Sequence, residues 1–278
     1  RLKAFSPGSI TLFFSIRDNA REYVKRGSIG VGLVIDSGAI TSVEKSSETE
    51  IIVNGRPMEN TVQEKILKKY KINAKVNTRT YMPISQGFGM SAAAAVSTSF
   101  SLFYGIKTYY ECIEIAHRVE LESGTGLGDI ASISAGGFTL RMREGIPPYG
   151  FIDRIKYDIN DFVVLIIDKP IETKEIIKRK EYRKKIIKAG DRAMEFFLKD
   201  RSLKNAFKVA RKFSKEISIN ESELNEIMEK AKEYGEVAQV MIGNSLIGFG
   251  KNDALEKLFE KYGEVKRLKI YESIPKLI

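Results

Sequence analysis

The chain has 278 residues, 46 Lys/Arg against 36 Asp/Glu for a formal net charge of +10, and 43% hydrophobic residues. This composition suits a chain that buries a substantial core, as one large domain or two intimately joined ones, and excludes a disordered one. With a single cysteine, Cys112, and a single histidine, His117, there is no intramolecular disulfide and no Cys/His zinc site, so any metal is expected on oxygen ligands.

In chain order, IGVGLVI (29–35) and EIIVNG (50–55) read as strands and MENTVQEKILKKY (58–70) as a helix. An alanine-rich helix is launched at Ser91 and bounded by Gly105. Thr108-Tyr-Tyr-Glu111 is a capping-box pattern opening a helix to about Glu122, stopped by Ser123-Gly124. FTLRM (138–142) and the almost continuously apolar DFVVLIID (161–168) read as strands, the latter ended by Lys169-Pro170. Several helices follow, then the Gly-rich VMIGNSLIGFG (240–250), a helix over 252–262 and a last strand, VKRLKIY. The polar GFIDRIKYDIND region near 158 is the expected seam, dividing residues 1–158 from 159–278 as two closely packed α+β layers.

The positive charge is local. Residues 174–215 carry a net +11, so the remaining chain is nearly neutral. Within that stretch Ile176, Ile177, Tyr182, Ile186 and Ile187 recur at helical spacing with cations on the other face, which predicts a solvated helix face. Steering of an anionic substrate and nucleic-acid binding are the alternatives, and the aromatic–basic interleaving that stacks bases is absent. No apolar run approaches the roughly 18 residues of a membrane span, and RLKAFSPGS is not a signal peptide, so a cytoplasmic protein is expected.

Chemistry concentrates in two stretches. In PISQGFGMSAAAA (83–95), Gly87 and Gly89 bare the backbone N–H groups just where a helix begins, an arrangement that cradles an anion. It is not a Walker A loop, because Met90 stands where that motif requires lysine. A Gly-rich turn before a buried alanine helix is the competing reading. In AHRVELESGTGLGDIASISAGG, Glu120 is followed nine residues later by Asp129, just after Gly124-Thr-Gly126-Leu-Gly128. Phosphoryl transfer from a nucleotide needs Mg²⁺ on carboxylate and hydroxyl oxygens and a group that receives or orients the acceptor hydroxyl. Ser91, Glu120 and Asp129 are that set, unless Glu120 is an exposed helical carboxylate and Asp129 a helix N-cap.

PISQGFGMSAAAA resembles the P-x-x-x-G-L-G-S-S-A-A motif of the GHMP kinase superfamily, and the stretch from Glu120 to Asp129, with the SAGG that follows, is similar to the second catalytic segment of that superfamily. SPGSITLFF (6–14) resembles its first motif without the Gly-Glu-His that often follows, and GNSLIGFG (243–250) stands in the place of the third without its G-x-G-x-G-G core. The resemblance implies an α+β, two-layer fold with an N-terminal ribosomal-protein-like α/β domain and a C-terminal ferredoxin-like α+β domain. It implies ATP phosphates on Pro83, Gly87, Phe88, Gly89, Met90, Ser91 and Ala92, Mg²⁺ on Ser91 and Glu120, and Asp129 as base or orienter. Met90 replaces the first serine of the S-S pair. Within the superfamily, KAFSPGSITLFFSI, KRGSIGVGL and the Glu120–Asp129 segment look most like the archaeal pantoate kinases, which implies an enzyme of coenzyme A biosynthesis acting on a small hydroxy acid. Arg141, His117, Ser28 and Thr173 are then the expected acceptor contacts, each with a structural alternative: a surface ion pair, a packed histidine, a turn and a helix N-cap. Another small alcohol is the alternative acceptor. A basic RNA binder is the alternative class, and Glu120 and Asp129 would repel phosphates there without a metal. No nucleic-acid or membrane partner is expected, and a homodimer is compatible with the resemblance.

Overall fold

The structure, a computed structural model, describes residues 2–169, 171, 173–217 and 221–278, with the side chains of Thr173, Glu221 and Ser222 outside the description. Two long antiparallel strands, β1 (Leu2–Arg17) and β2 (Gly27–Lys45), form its spine. Both are buried over most of their length, which suits the β-branched and aromatic residues that recur along them. Pro7 is tolerated inside β1 because the register shifts between Pro7 and Gly8, a position where the ladder does not need the missing N–H. β2 bonds β6 (Phe138–Arg143) through Gly30–Leu33 and β5 (Ala74–Thr80) through Ala39–Lys45. With β3 (Glu50–Val53), β4 (Arg56–Pro57), β7 (Phe151–Ile155) and β12 (Lys276–Leu277) these make an eight-stranded sheet.

The second sheet is antiparallel, ordered β11 (Glu264–Leu268), β8 (Phe162–Ile166), β10 (Ser245–Gly250), β9 (Gly235–Gln239). In chain order it is a β-α-β-β-α-β unit, which is the ferredoxin-like arrangement. The connection between the sheets runs from Ile155 to Phe162, and β12, from the end of the chain, joins the first sheet beside β1.

Helices α1 (Val62–Tyr70), α2 (Met90–Phe103), α3 (Tyr109–Ser123) and α4 (Asp129–Ala135) pack together beside the first sheet. The predicted capping box opens α3: Thr108 Oγ1 accepts from the Glu111 N–H, and Glu111 accepts from the Thr108 N–H at 2.7 Å. α2 buries its alanines, and Ser97 on the same helix meets Thr41 Oγ1 of β2 at 2.7 Å. The basic stretch forms α5 (Thr173–Lys178) and α6 (Lys180–Lys199), interrupted at Arg179, then α7 (Leu203–Ile217); α8 (Glu221–Ala231) and α9 (Asn252–Phe259) cover the second sheet. Among the described residues no helix is long and apolar enough to cross a membrane.

One core spans both sheets. Phe13 and Phe138 of the first meet Phe197 of α6, and Phe162 of the second stacks on Phe207 of α7. The predicted apolar face holds, with Ile186 buried and Ile176, Ile177, Tyr182 and Ile187 packed against this core. Several cations of the outer face are paired, Arg192 with Glu216 and Arg183 with Asp18 among them. The closest crossing is at Gly190, where an added Cβ would collide with the Phe14 carbonyl oxygen of β1. On an exposed helix Gly→Ala stabilises by about 1 kcal/mol. Gly190→Ala should instead destabilise by roughly 1–3 kcal/mol through overpacking, read as a lower urea midpoint. A higher midpoint would show that α6 does not press on β1.

Candidate active site

The loop before α2 owes its shape to glycine. Gly87 and Gly89 hold φ of +89° and +67°, in the left-handed region that L side chains adopt only with strain. Gly89 is the N-cap and offers no side chain, so the N–H groups of Met90, Ser91 and Ala92 have no intrahelical partner; the first such bond is Ala93 N–H to the Gly89 carbonyl, 2.9 Å. The loop is pinned on both sides. Ser9 of β1 donates its N–H to the Phe88 carbonyl at 3.0 Å, and Gly8 leaves the room, since a Cβ there would lie 2.7 Å from that oxygen. Behind the loop, a Cβ on Gly87 would lie 2.7 Å from Val240 Cγ1, and one on Gly243 would strike the Gln86 carbonyl. The degenerate third Gly-rich motif thus braces the backbone of the loop.

Glu120 lies in the last turn of α3, only 1% exposed, which rules out the exposed-carboxylate reading. One of its oxygens, Oε1, accepts from Ser91 Oγ at 2.5 Å and from Thr125 Oγ1 at 2.8 Å. Burial pushes its pKa up to about 7 against the opposing pull of the two hydroxyls, and the nearby Asp129 charge adds to the rise. Lys65, bonded to Ser123 Oγ at 2.8 Å, works in the other direction.

Asp129 is the first residue of α4. Gly128 is the cap, so the N-cap reading fails as well. The Asp129 pKa is raised by burial and held back by the positive charge of Arg141 and by the Ser9 hydroxyl. Gly126 lets the chain pass between the acids: a Cβ there would lie 2.6 Å from Glu120 Oε2 and 3.5 Å from Asp129 Oδ2.

Arg141 of β6 is buried, not a surface ion-pair partner. Nη1 donates to Ser132 Oγ at 2.8 Å, and Nε and Nη2 donate to the carbonyl and hydroxyl of Ser28 at 3.3 and 3.2 Å. The guanidinium fills a slot between Gly30 and Gly128, where Cβ atoms would lie 2.8 Å from Nη2 and 2.6 Å from Cζ. Burial draws its pKa down to about 10, opposed by Asp129.

These groups line one cavity of about 130 Å³, together with Thr11, Phe14, Ile84, Ser85, Leu127, Ile171, Lys174, Ile177, Met241 and Ile242. Of the residues singled out in the sequence, Gly87, Phe88, Gly89, Met90, Ser91, Ala92, Glu120, Asp129, Ser28 and Arg141 belong to its wall, while Pro83 and His117 do not. The geometry gives His117 backbone partners outside that wall. The ring is buried, with Nε2 3.1 Å from the Tyr23 carbonyl and 3.0 Å from that of Arg26, and burial lowers its pKa to about 4. It anchors the turn that leads into Ser28. Thr173 opens α5, and its side chain lies outside the described residues. The sequence reading missed Thr125, though it stands inside the singled-out glycine run, and Lys174, which the charge of its surroundings concealed.

An uncapped helix N-terminus facing hydroxyls and two carboxylates on this α+β frame suits phosphoryl transfer to a small molecule. Residues 58–137 match the family model of the GHMP kinases N terminal domain. A pantoate kinase of Methanocaldococcus jannaschii is 30% identical over 257 residues, covering 91% of this chain and 94% of that one, and one of Thermococcus kodakarensis is 29% identical, covering 92% and 90%. Among solved structures, a phosphotransferase related to the CoA biosynthesis pathway superposes with a TM-score of 0.88 at 24% identity, covering 100% of this chain and 98% of that one. A mevalonate kinase superposes at 0.66 and 19%, covering 98% and 100%. The chain belongs to the GHMP kinase family and is an ATP-dependent kinase.

The shared oxygen of Glu120 makes a clean test. Folding raises its pKa from 4.5 to about 7, so the folded state holds a proton that the unfolded state has lost between those values. The resulting stability is fully present below pH 4.5 and is lost as pH rises through 7. Gln keeps an oxygen for both hydroxyls and carries no charge. Glu120→Gln should therefore be more stable than the native protein above pH 7, with a smaller loss between pH 5 and 8, measured as urea midpoints across that range.

Proposed function

We propose that the protein is a cytoplasmic, ATP- and Mg²⁺-dependent kinase that phosphorylates the primary hydroxyl of pantoate to 4-phosphopantoate for coenzyme A biosynthesis. The observation that carries this reading is the convergence of Ser91, Glu120 and Asp129 at the open N-terminus of α2, in a chain similar over nine-tenths of its length to pantoate kinases. The N–H groups of residues 87–92 would hold the donor phosphates with the positive end of the α2 dipole behind them. A hydroxyl and a carboxylate already in contact are suitable hard-oxygen donors for Mg²⁺, which in kinase sites takes one or two protein ligands and completes its shell with phosphates and water. The cation would supply charge neutralisation on the transferring phosphoryl group.

The remaining work falls to the chain itself. Asp129 accepts or orients the acceptor hydroxyl, and the positive charge of Arg141 opposes the rise that burial imposes on its pKa. Arg141 has five N–H donors and spends three on Ser28 and Ser132, which leaves two for an acceptor oxygen. Ser28, fixed by Arg141 and by the turn that His117 anchors, offers a hydroxyl beside it.

An ADP-release assay with ATP and Mg²⁺ should show pantoate turned over in preference to mevalonate, homoserine and galactose. Efficient turnover of another acceptor with none of pantoate would sink the acceptor assignment and leave the kinase class intact. Asp129→Asn should lower kcat by about 10²-fold or more, with the unfolding free energy from urea titration at neutral pH unchanged to within about 1 kcal/mol. Near-normal turnover would remove Asp129 from the mechanism.

A further inference from the structure

Four charged side chains line the cavity: Glu120, Asp129, Arg141 and Lys174. Glu120 is held by Ser91 and Thr125, and Arg141 is buried, bonded to Ser28 and Ser132, with its charge set against Asp129. Lys174 differs. It stands exposed in the first turn of α5 and has no ion pair or hydrogen bond among the described residues. Its stem packs on the glycine that ends α3, since a Cβ on Gly124 would lie 3.3 Å from Lys174 Cγ. That glycine begins the run leading to Asp129. Ile171 and Ile177 share the wall with it and provide apolar surroundings that strengthen a charge pair.

We propose that Lys174 is a specificity-determining residue that binds the carboxylate of the acceptor and makes the site select hydroxy acids over neutral alcohols. The proposal rests on the kinase reading with an acidic acceptor. The donor phosphates already have the α2 N-terminus and a cation to meet them. The acceptor must reach Asp129, and the Gly124–Gly128 run that carries Asp129 is the segment against which Lys174 packs. An acid entering there brings a negative charge into a cavity whose two carboxylates already face its one guanidinium, Arg141. A free ammonium on a flexible stem meets that demand without moving Arg141.

The experiment compares native enzyme, Lys174→Met and Lys174→Arg on pantoate and on its reduced alcohol, with the carboxylate replaced by hydroxymethyl. Lys174→Met keeps the apolar stem that packs on Gly124. It should raise KM for pantoate about tenfold or more, leave kcat and KM for ATP within about twofold, and reduce the acid-over-alcohol preference by the same factor, with Lys174→Arg restoring part of it. An unchanged preference, or an equal rise in KM for ATP, would overturn the proposal, the latter placing Lys174 on the donor phosphates. If the native enzyme ignores pantoate and phosphorylates a different hydroxy acid, the pantoate assignment fails while Lys174 is judged on that acid and its alcohol: loss of the preference in Lys174→Met supports the proposal and persistence overturns it.

Discussion

A carboxyl group almost out of water, with a second carboxyl close by, is the constraint around which the site is built. Glu120 is buried, and Asp129 raises its proton affinity further, so either acid without help would lose its charge. Help comes from every neighbouring element: α2 with Ser91, the loop after α3 with Thr125, α1 with Lys65, β1 with Ser9 and β6 with Arg141. The two acids are treated differently. Glu120 is supported mainly by neutral hydroxyls, which leaves it poised near neutrality, while Asp129 has a full positive charge beside it.

Such crowding requires the absence of side chains. Gly126 passes against Glu120, Gly128 and Gly30 flank the Arg141 guanidinium, and Gly8 admits the Phe88 carbonyl. These positions have ordinary backbone angles, so glycine stands there for the space it leaves. Gly87 and Gly89 add a positive φ to the same need for close approach. The small residues of α2 extend the principle, because alanines at 92, 93 and 95 let the helix axis come near β1 and β2 and carry its N-terminus into the cavity.

What could be read from the sequence divides along the range of the forces involved. The Thr108–Glu111 cap, the Gly124 stop, the apolar run of β8 and the basic amphipathic face are fixed by residues within a few positions of one another, and they appear as read. The length of β1 was hidden because Pro7-Gly8 looks like a break, and only the pairing with β2 shows that it sits at a register shift. The interruption at Arg179 and the return of β12 to the first sheet are tertiary choices with no local signature. At the site, the motif residues and the acids were legible because their types and order are chemically specific. Those residues do not reveal that Arg141 is buried, which depends on glycines 111 and 13 positions earlier, nor that His117, one turn from Glu120, points to a different loop.

The second half of the chain does more than support the first. Its 240–243 segment braces the glycine loop before α2, and Ile171, Lys174 and Ile177 belong to the cavity wall. Both contributions are placed by the shared core in which α6 and α7 join the two sheets, so the shape of the cavity depends on helices far in sequence from Ser91, Glu120 and Asp129. This division explains why the central motifs stay close to the family pattern while the third departs from it. The loop before α2 is held by close approaches on both of its sides, at Gly8 and at Gly243. A segment that only has to stand behind that loop needs a glycine at 243, where the Gln86 carbonyl approaches, and is otherwise free to differ.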